Sequence, residues 1–149
     1  MKGMTIIVKT ISSWVKVLIF IFGIYIILFG HLTPGGGFAG GVILASSYVL
    51  LMLAFGSDFV QKDLPLALDS KLDCLGAFAF IMIAILPCVF GGAFFANFLV
   101  DRYGQPFELL SAGTIPLSNI AIGLKVGASL FLVIFSLAVC RKGAELDDE

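Results

Sequence analysis

Apolar residues run along this chain in blocks longer than a soluble core would need. Four stretches, 13–30, 38–56, 74–99 and 117–140, are dominated by Ile, Leu, Val, Phe, Ala and Gly. A bilayer core of about 30 Å is crossed by roughly 20 residues of helix, so each stretch can span it. Polar and charged residues gather between the blocks, chiefly at 57–73 and 101–116, and after 140. The pattern predicts an all-α integral membrane protein with four transmembrane helices in one domain, 1–149. The third block carries Pro87, followed by Gly91 and Gly92. Proline removes a backbone donor and crowds the carbonyl four residues earlier, so the third helix is expected to kink near Pro87. Lipid cannot satisfy the freed carbonyl, so protein or water must cover it there.

Composition narrows the class. Of 149 residues, 60% are hydrophobic and only 13% charged, about half the usual charged share of a soluble domain. The formal net charge of −1 offers nothing to nucleic acid. Lys2 and Lys9 precede the first apolar run as in a signal peptide. That run continues to Phe29 with no A-x-A-like cleavage site after it, so it reads as a retained helix. Cys74, Cys88 and Cys140 are scattered without C-x-x-C spacing and read as packing residues, with no metal site.

Charge also sets direction. Lys2, Lys9, Lys62, Lys71, Arg141 and Lys142 fall on one side of the predicted crossings, and Arg102 alone on the other. By the positive-inside rule both termini and the 57–73 loop are expected in the cytoplasm of a multi-pass plasma-membrane protein.

The outer end of the first hairpin reads GHLTPGGGFAGG, residues 30–41. A phosphate cradle is excluded because no Gly-Lys-Ser/Thr follows. Pro34 ends the first helix, and Gly35, Gly36 and Gly37 permit backbone geometries closed to other residues. Gly36/Gly40 and Gly37/Gly41 are i, i+4 pairs, a small-xxx-small seam that lets another helix come close. His31, the single histidine, is either a proton relay or a neutral ring bonded to loop carbonyls.

Lys125 lies inside the fourth crossing, where an unpaired charge costs about 2 kcal/mol or more on insertion scales. Ser118, Ala121, Lys125, Ala128, Ser129 and Ser136 share one helical face, and Gly123, Gly127 and Phe131 lie on the opposite one. With 74 taken as the start of the third helix, no carboxylate falls within a crossing. Lys125 is therefore expected to pair with a carboxylate of another polypeptide, and with His31 it is an ion-path or inter-subunit candidate.

The hairpin, with Gly30, His31, Pro34, Gly35, Gly36, Gly37, Phe38, Gly40 and Gly41, and the following VILASSYVLLMLAFG, resembles the B subunit of Mrp-type multisubunit sodium/proton antiporters, the MnhB family. The resemblance spans most of the chain, down to Gly113–Pro116. It departs at Asn119 through Lys125, where many members carry an Asp-x-Gly-Val-Tyr-like stretch. The resemblance implies an accessory subunit of a cation/proton translocation unit, stand-alone or coupled to a hydrogenase-like redox arm. It implies other antiporter subunits, hydrogenase or related redox subunits and the bilayer as partners, with no cofactor and no catalysis of its own. The alternative is a self-contained small cation/proton transporter, which usually needs an intramembrane acid. A bis-histidine haem anchor would need two ligands where only His31 exists.

Overall fold

In a computed structural model the protein is described over residues 4–99 and 111–147, and every regular element there is a helix. Helix α1 is Ile6–Leu28, α2 Gly36–Phe55, α3 the short Ser57–Asp63, α4 Leu66–Val89 and α5 Ile115–Asp147. Among the described residues four helices, α1, α2, α4 and α5, are long and apolar enough to cross a membrane. Lys2 and Arg102, on which the expected orientation partly rests, lie outside the described residues.

The boundaries depart from those drawn by hydropathy. Helix α1 starts at Ile6, well before 13, because its early hydroxyls do not break it. Thr10 donates to the Ile6 carbonyl at 3.0 Å and Ser13 to that of Lys9 at 3.1 Å, satisfying themselves within the turn. Its lysines also find partners, since the Lys9 ammonium lies 5.7 Å from the centre of the Phe55 ring and that of Lys16 4.5 Å from Tyr48. Helix α4 starts at Leu66 and stops at Val89, against an expected 74–99. Extended Pro65 launches it, and helical bonding then runs straight through the charged LALDSKLD turns that hydropathy assigns to a loop. Pro87 consequently stands in the last turn and not mid-helix. Beyond it the chain folds back, with the Gly92 amide donating to the Pro87 carbonyl at 2.9 Å and the Phe95 amide to that of Ala84 at 3.1 Å.

In space the long helices are arranged α1, α2, α5, α4, each packed against the next. Hydrophobic drive is absent between helices in lipid, so close packing has to hold them. Leu51, Met52 and Val60 pack with Phe131 and Phe135 where α3 tucks against the end of α2 and the middle of α5. Tyr48 meets Phe131 edge-on at 5.8 Å and Phe20 at 6.1 Å. Asn97 ties the segment after α4 to the start of α5: its Nδ2 donates to Ala112 O at 2.9 Å, and its Oδ1 accepts from the Thr114 amide at 2.9 Å.

Candidate functional site

Helix α4 buries Asp69, Gly76, Ala84 and Pro87, spacings that lie along one face. Asp73 falls on that same face, one turn beyond Asp69. It meets Lys125 and Ser129, themselves one turn apart on α5. The Lys125 ammonium donates to Asp73 Oδ1 at 2.5 Å and to Ser129 Oγ at 2.9 Å, and the Ser129 hydroxyl donates to the same carboxylate oxygen. Lys125 therefore has its carboxylate within the chain. This corrects the expectation of a partner from another polypeptide. Hydropathy starts the third crossing at 74, one residue past the acid, and so leaves Asp73 in the loop.

Gly76 makes the cluster possible. A Cβ there would lie 2.7 Å from the Lys125 amide nitrogen and 3.0 Å from the Ala121 carbonyl oxygen, so α4 and α5 touch backbone to backbone beside the ion pair. The side chains are 43% (Lys125) and 27% (Asp73) exposed in the single chain. A lone charge at the centre of a membrane-spanning helix costs roughly 2.5–3.5 kcal/mol on insertion scales. Pairing lowers that cost, yet the flank of the pair still opens outward from the four helices.

Asp69 likewise falls in the stretch that hydropathy assigns to a loop. It is 2% exposed, and its Oδ2 has no hydrogen-bond partner among the described residues. The signal that could have found both acids is the spacing Asp69, Asp73, Gly76, which puts two carboxylates and a gap for a neighbouring backbone on one helical face.

The glycine hairpin forms a separate locus at the other end of α2. Gly35 and Gly36 take φ of +136° and +65°, the left-handed region that favours glycine, and so turn the chain from α1 into α2 just after Pro34. Gly37 lies against the backbone of Asn119, whose Oδ1 accepts from the Gly37 amide at 3.4 Å. One turn on, a Cβ at Gly41 would come within 2.8 Å of the Gly123 carbonyl oxygen and 3.1 Å of the Gly127 amide nitrogen. Gly40 faces α1, where a Cβ would lie 3.0 Å from the Gly23 carbonyl oxygen. Half-buried His31 sits in the turn itself. None of the hydrogen bonds of the Lys125 cluster reaches it. Of the sequence candidates, then, Gly37, Gly41, Gly123 and Gly127 meet in the seam between α2 and α5 and Gly40 packs on α1, whereas His31 and Lys125 are not brought together.

Comparison with known proteins gives this arrangement a context. An uncharacterised protein of Methanocaldococcus jannaschii is 38% identical over 146 residues, covering 93% of this chain and 53% of its own length. A Staphylococcus aureus protein named as antiporter subunit mnhB2 is 31% identical, covering 93% of this chain and 97% of its own. A chain in the structure of the membrane-bound sulfane sulfur reductase, an archaeal respiratory membrane complex, superposes with a TM-score of 0.75 at 27% identity. That match covers 92% of this chain and 59% of that one. The chain thus spans little more than half the length of the archaeal relatives it matches, but nearly the whole of the staphylococcal one. Residues 7–132 match the family described as a domain related to the MnhB subunit of Na+/H+ antiporters. On that match, which takes in all of α2 and α4 and the hairpin and charged cluster alike, the chain belongs to the MnhB family.

Proposed function

We propose that this protein is an accessory membrane subunit of a Mrp-type cation/proton antiporter module, shaping its translocation unit without catalysing a reaction itself. The observation that carries the reading is the Asp73–Lys125–Ser129 cluster. An ion pair with one flank left open, between helices apolar enough to cross a bilayer, needs polar company from neighbouring subunits. Outward faces that expose large apolar residues such as Trp14, Leu18 and Phe78 suit contact with lipid and with other membrane chains. The glycine hairpin, with His31 at its edge, serves helix packing on this reading, and both termini lie in the cytoplasm. Similarity to a chain of a respiratory complex supports a redox-coupled assembly alongside the stand-alone antiporter. Pro87, close to the fold-back after α4, serves as a packing kink there.

Mass spectrometry of whatever co-purifies with the C-terminally tagged, gently solubilised chain tests the proposal. Antiporter-like subunits are expected, and redox subunits beside them identify the coupled form. Recovery of the chain alone, with sodium/proton exchange in proteoliposomes that contain nothing else, overturns the accessory role in favour of a self-contained transporter.

A further inference from the structure

The subunit reading leaves Asp69 unused. It stands in the first turn of α4, 2% exposed, with Oδ2 unpartnered among the described residues. It lines a cleft of about 180 Å³ to which all four long helices contribute: Phe20 from α1, Leu44 and Tyr48 from α2, Leu72 from α4, and Gly127 and Phe131 from α5. A carboxylate ion with an unsatisfied oxygen against such walls is among the costliest arrangements a protein can hold. Something has to neutralise it.

The choices are a protein cation, an alkali cation or a proton. Lys125, the cation on the face of α5 that meets α4, is bonded to Asp73 and Ser129. From α1 the ammonium of Lys16 lies over the Tyr48 ring. Short α3 turns Val60 inward, and on α4 itself the neighbouring charge one turn away is Asp73, another acid. An alkali cation stripped of water needs several oxygens in place of its hydration shell. The cleft's side-chain oxygens are those of Asp69 and Tyr48. A proton needs only the one carboxyl.

We propose that Asp69 is a proton-binding site, its carboxyl taking up and releasing a proton at the central cleft of the four-helix unit. The site deepens the antiporter-subunit reading by naming a group of this chain that exchanges a proton, but it stands on the cleft and the orphaned oxygen. It also supplies an acid within the apolar helix α4, at a position that hydropathy assigns to the 57–73 loop.

The test uses the intact assembly purified with this chain. Dicyclohexylcarbodiimide, an apolar reagent that adds to protonated carboxyls, is applied over a range of pH with and without sodium chloride, and the modified residue is mapped by peptide mass spectrometry. Labelling is expected at Asp69, falling severalfold as pH rises, indifferent to sodium, lost in Asp69→Asn and retained in Asp73→Asn. An Asp69 peptide recovered unlabelled at every pH overturns the proposal. Labelling that sodium suppresses at fixed pH also overturns it, by assigning the cleft to a metal cation. If Asp69→Asn fails to assemble, mapping in the unaltered complex carries the test alone. The readout is the carboxyl itself and not transport, so its failure leaves the subunit reading standing, and a failure of that reading leaves the labelling result intact.

Discussion

Adding one methyl group at Gly76 and at Gly127 is expected to move stability in opposite directions, and the geometry says why. At Gly76 the new Cβ would sit 2.7 Å from the Lys125 amide nitrogen, 2.9 Å from Lys125 Cβ and 3.0 Å from the Ala121 carbonyl oxygen. All three belong to backbone or to the root of a side chain, so no flexible tip can swing aside and α4 must back away from α5. Overpacking of this kind costs about 1–3 kcal/mol. The gain from replacing a helical glycine is only about 0.5–1 kcal/mol, so Gly76→Ala is a net loss of up to about 2.5 kcal/mol. The helices part beside the ion pair, so the 2.5 Å contact between Lys125 and Asp73 lengthens too. At Gly127 the nearest atoms to a new Cβ are the Gly41 carbonyl oxygen at 3.4 Å and Leu44 Cβ at 3.7 Å. These are ordinary contacts, so the helix-propensity gain stands and Gly127→Ala is expected to stabilise by up to about 1 kcal/mol. Thermal unfolding of the detergent-solubilised chain, followed by loss of the monodisperse peak on gel filtration, reads both. Each kilocalorie corresponds to roughly 2–4 °C for a chain of this size. Equal shifts of the same sign in the two variants would refute the backbone-to-backbone approach at Gly76.

Lys125→Met and Asp73→Asn, singly and together, form a cycle expected to return a coupling of about 2 kcal/mol, between the ~0–1 of exposed pairs and the ~3–5 lost when one partner of a fully buried pair is removed; thermal unfolding reads it, and strict additivity counts against the pair. Ser129→Ala, which leaves the ion pair but removes the hydroxyl bridging it, is expected to cost about 1 kcal/mol in the same assay. Asn97→Ala removes the bonds to Ala112 and Thr114 and is expected to cost about 1–2 kcal/mol, seen as faster proteolytic cutting near residue 97 with the four crossings still intact.

Much of this molecule is written in hydropathy. Four crossings can be read from composition and length because a chain in lipid has to satisfy its backbone bonds internally, and the apolar stretches declare where. The spacings of Gly37/Gly41 and Gly123/Gly127 are likewise visible in one dimension, although which seam meets which is not. The acids of α4 are a different matter. Hydropathy marks where side chains prefer lipid, whereas a helix ends where its hydrogen bonding ends. Those two places differ by two turns between Leu66 and 74. Asp69 and Asp73 fall in that gap, and so looked like loop residues. The pairing of Asp73 with Lys125 joins positions 52 apart in sequence, and no local pattern reports it.

The consequence for α5 is a division of labour between its faces. One face, at Gly123 and Gly127, meets the bare backbone of α2 and has no charge to move, so what it contributes is position. The other face, at Ala121, Lys125 and Ser129, meets α4 over Gly76 and Asp73 and holds the charges. A methyl group on the first face acts on how the helices fit, while a change at Lys125 or Asp73 alters the field felt along the groove with little change of volume. The cleft that Asp69 lines lies between these faces, with Gly123 and Gly127 on its wall. Gly123 and Gly127 thus serve both the seam with α2 and the wall of the acid's cleft, although the sequence sets them 54 (123 − 69) and 58 (127 − 69) positions beyond Asp69.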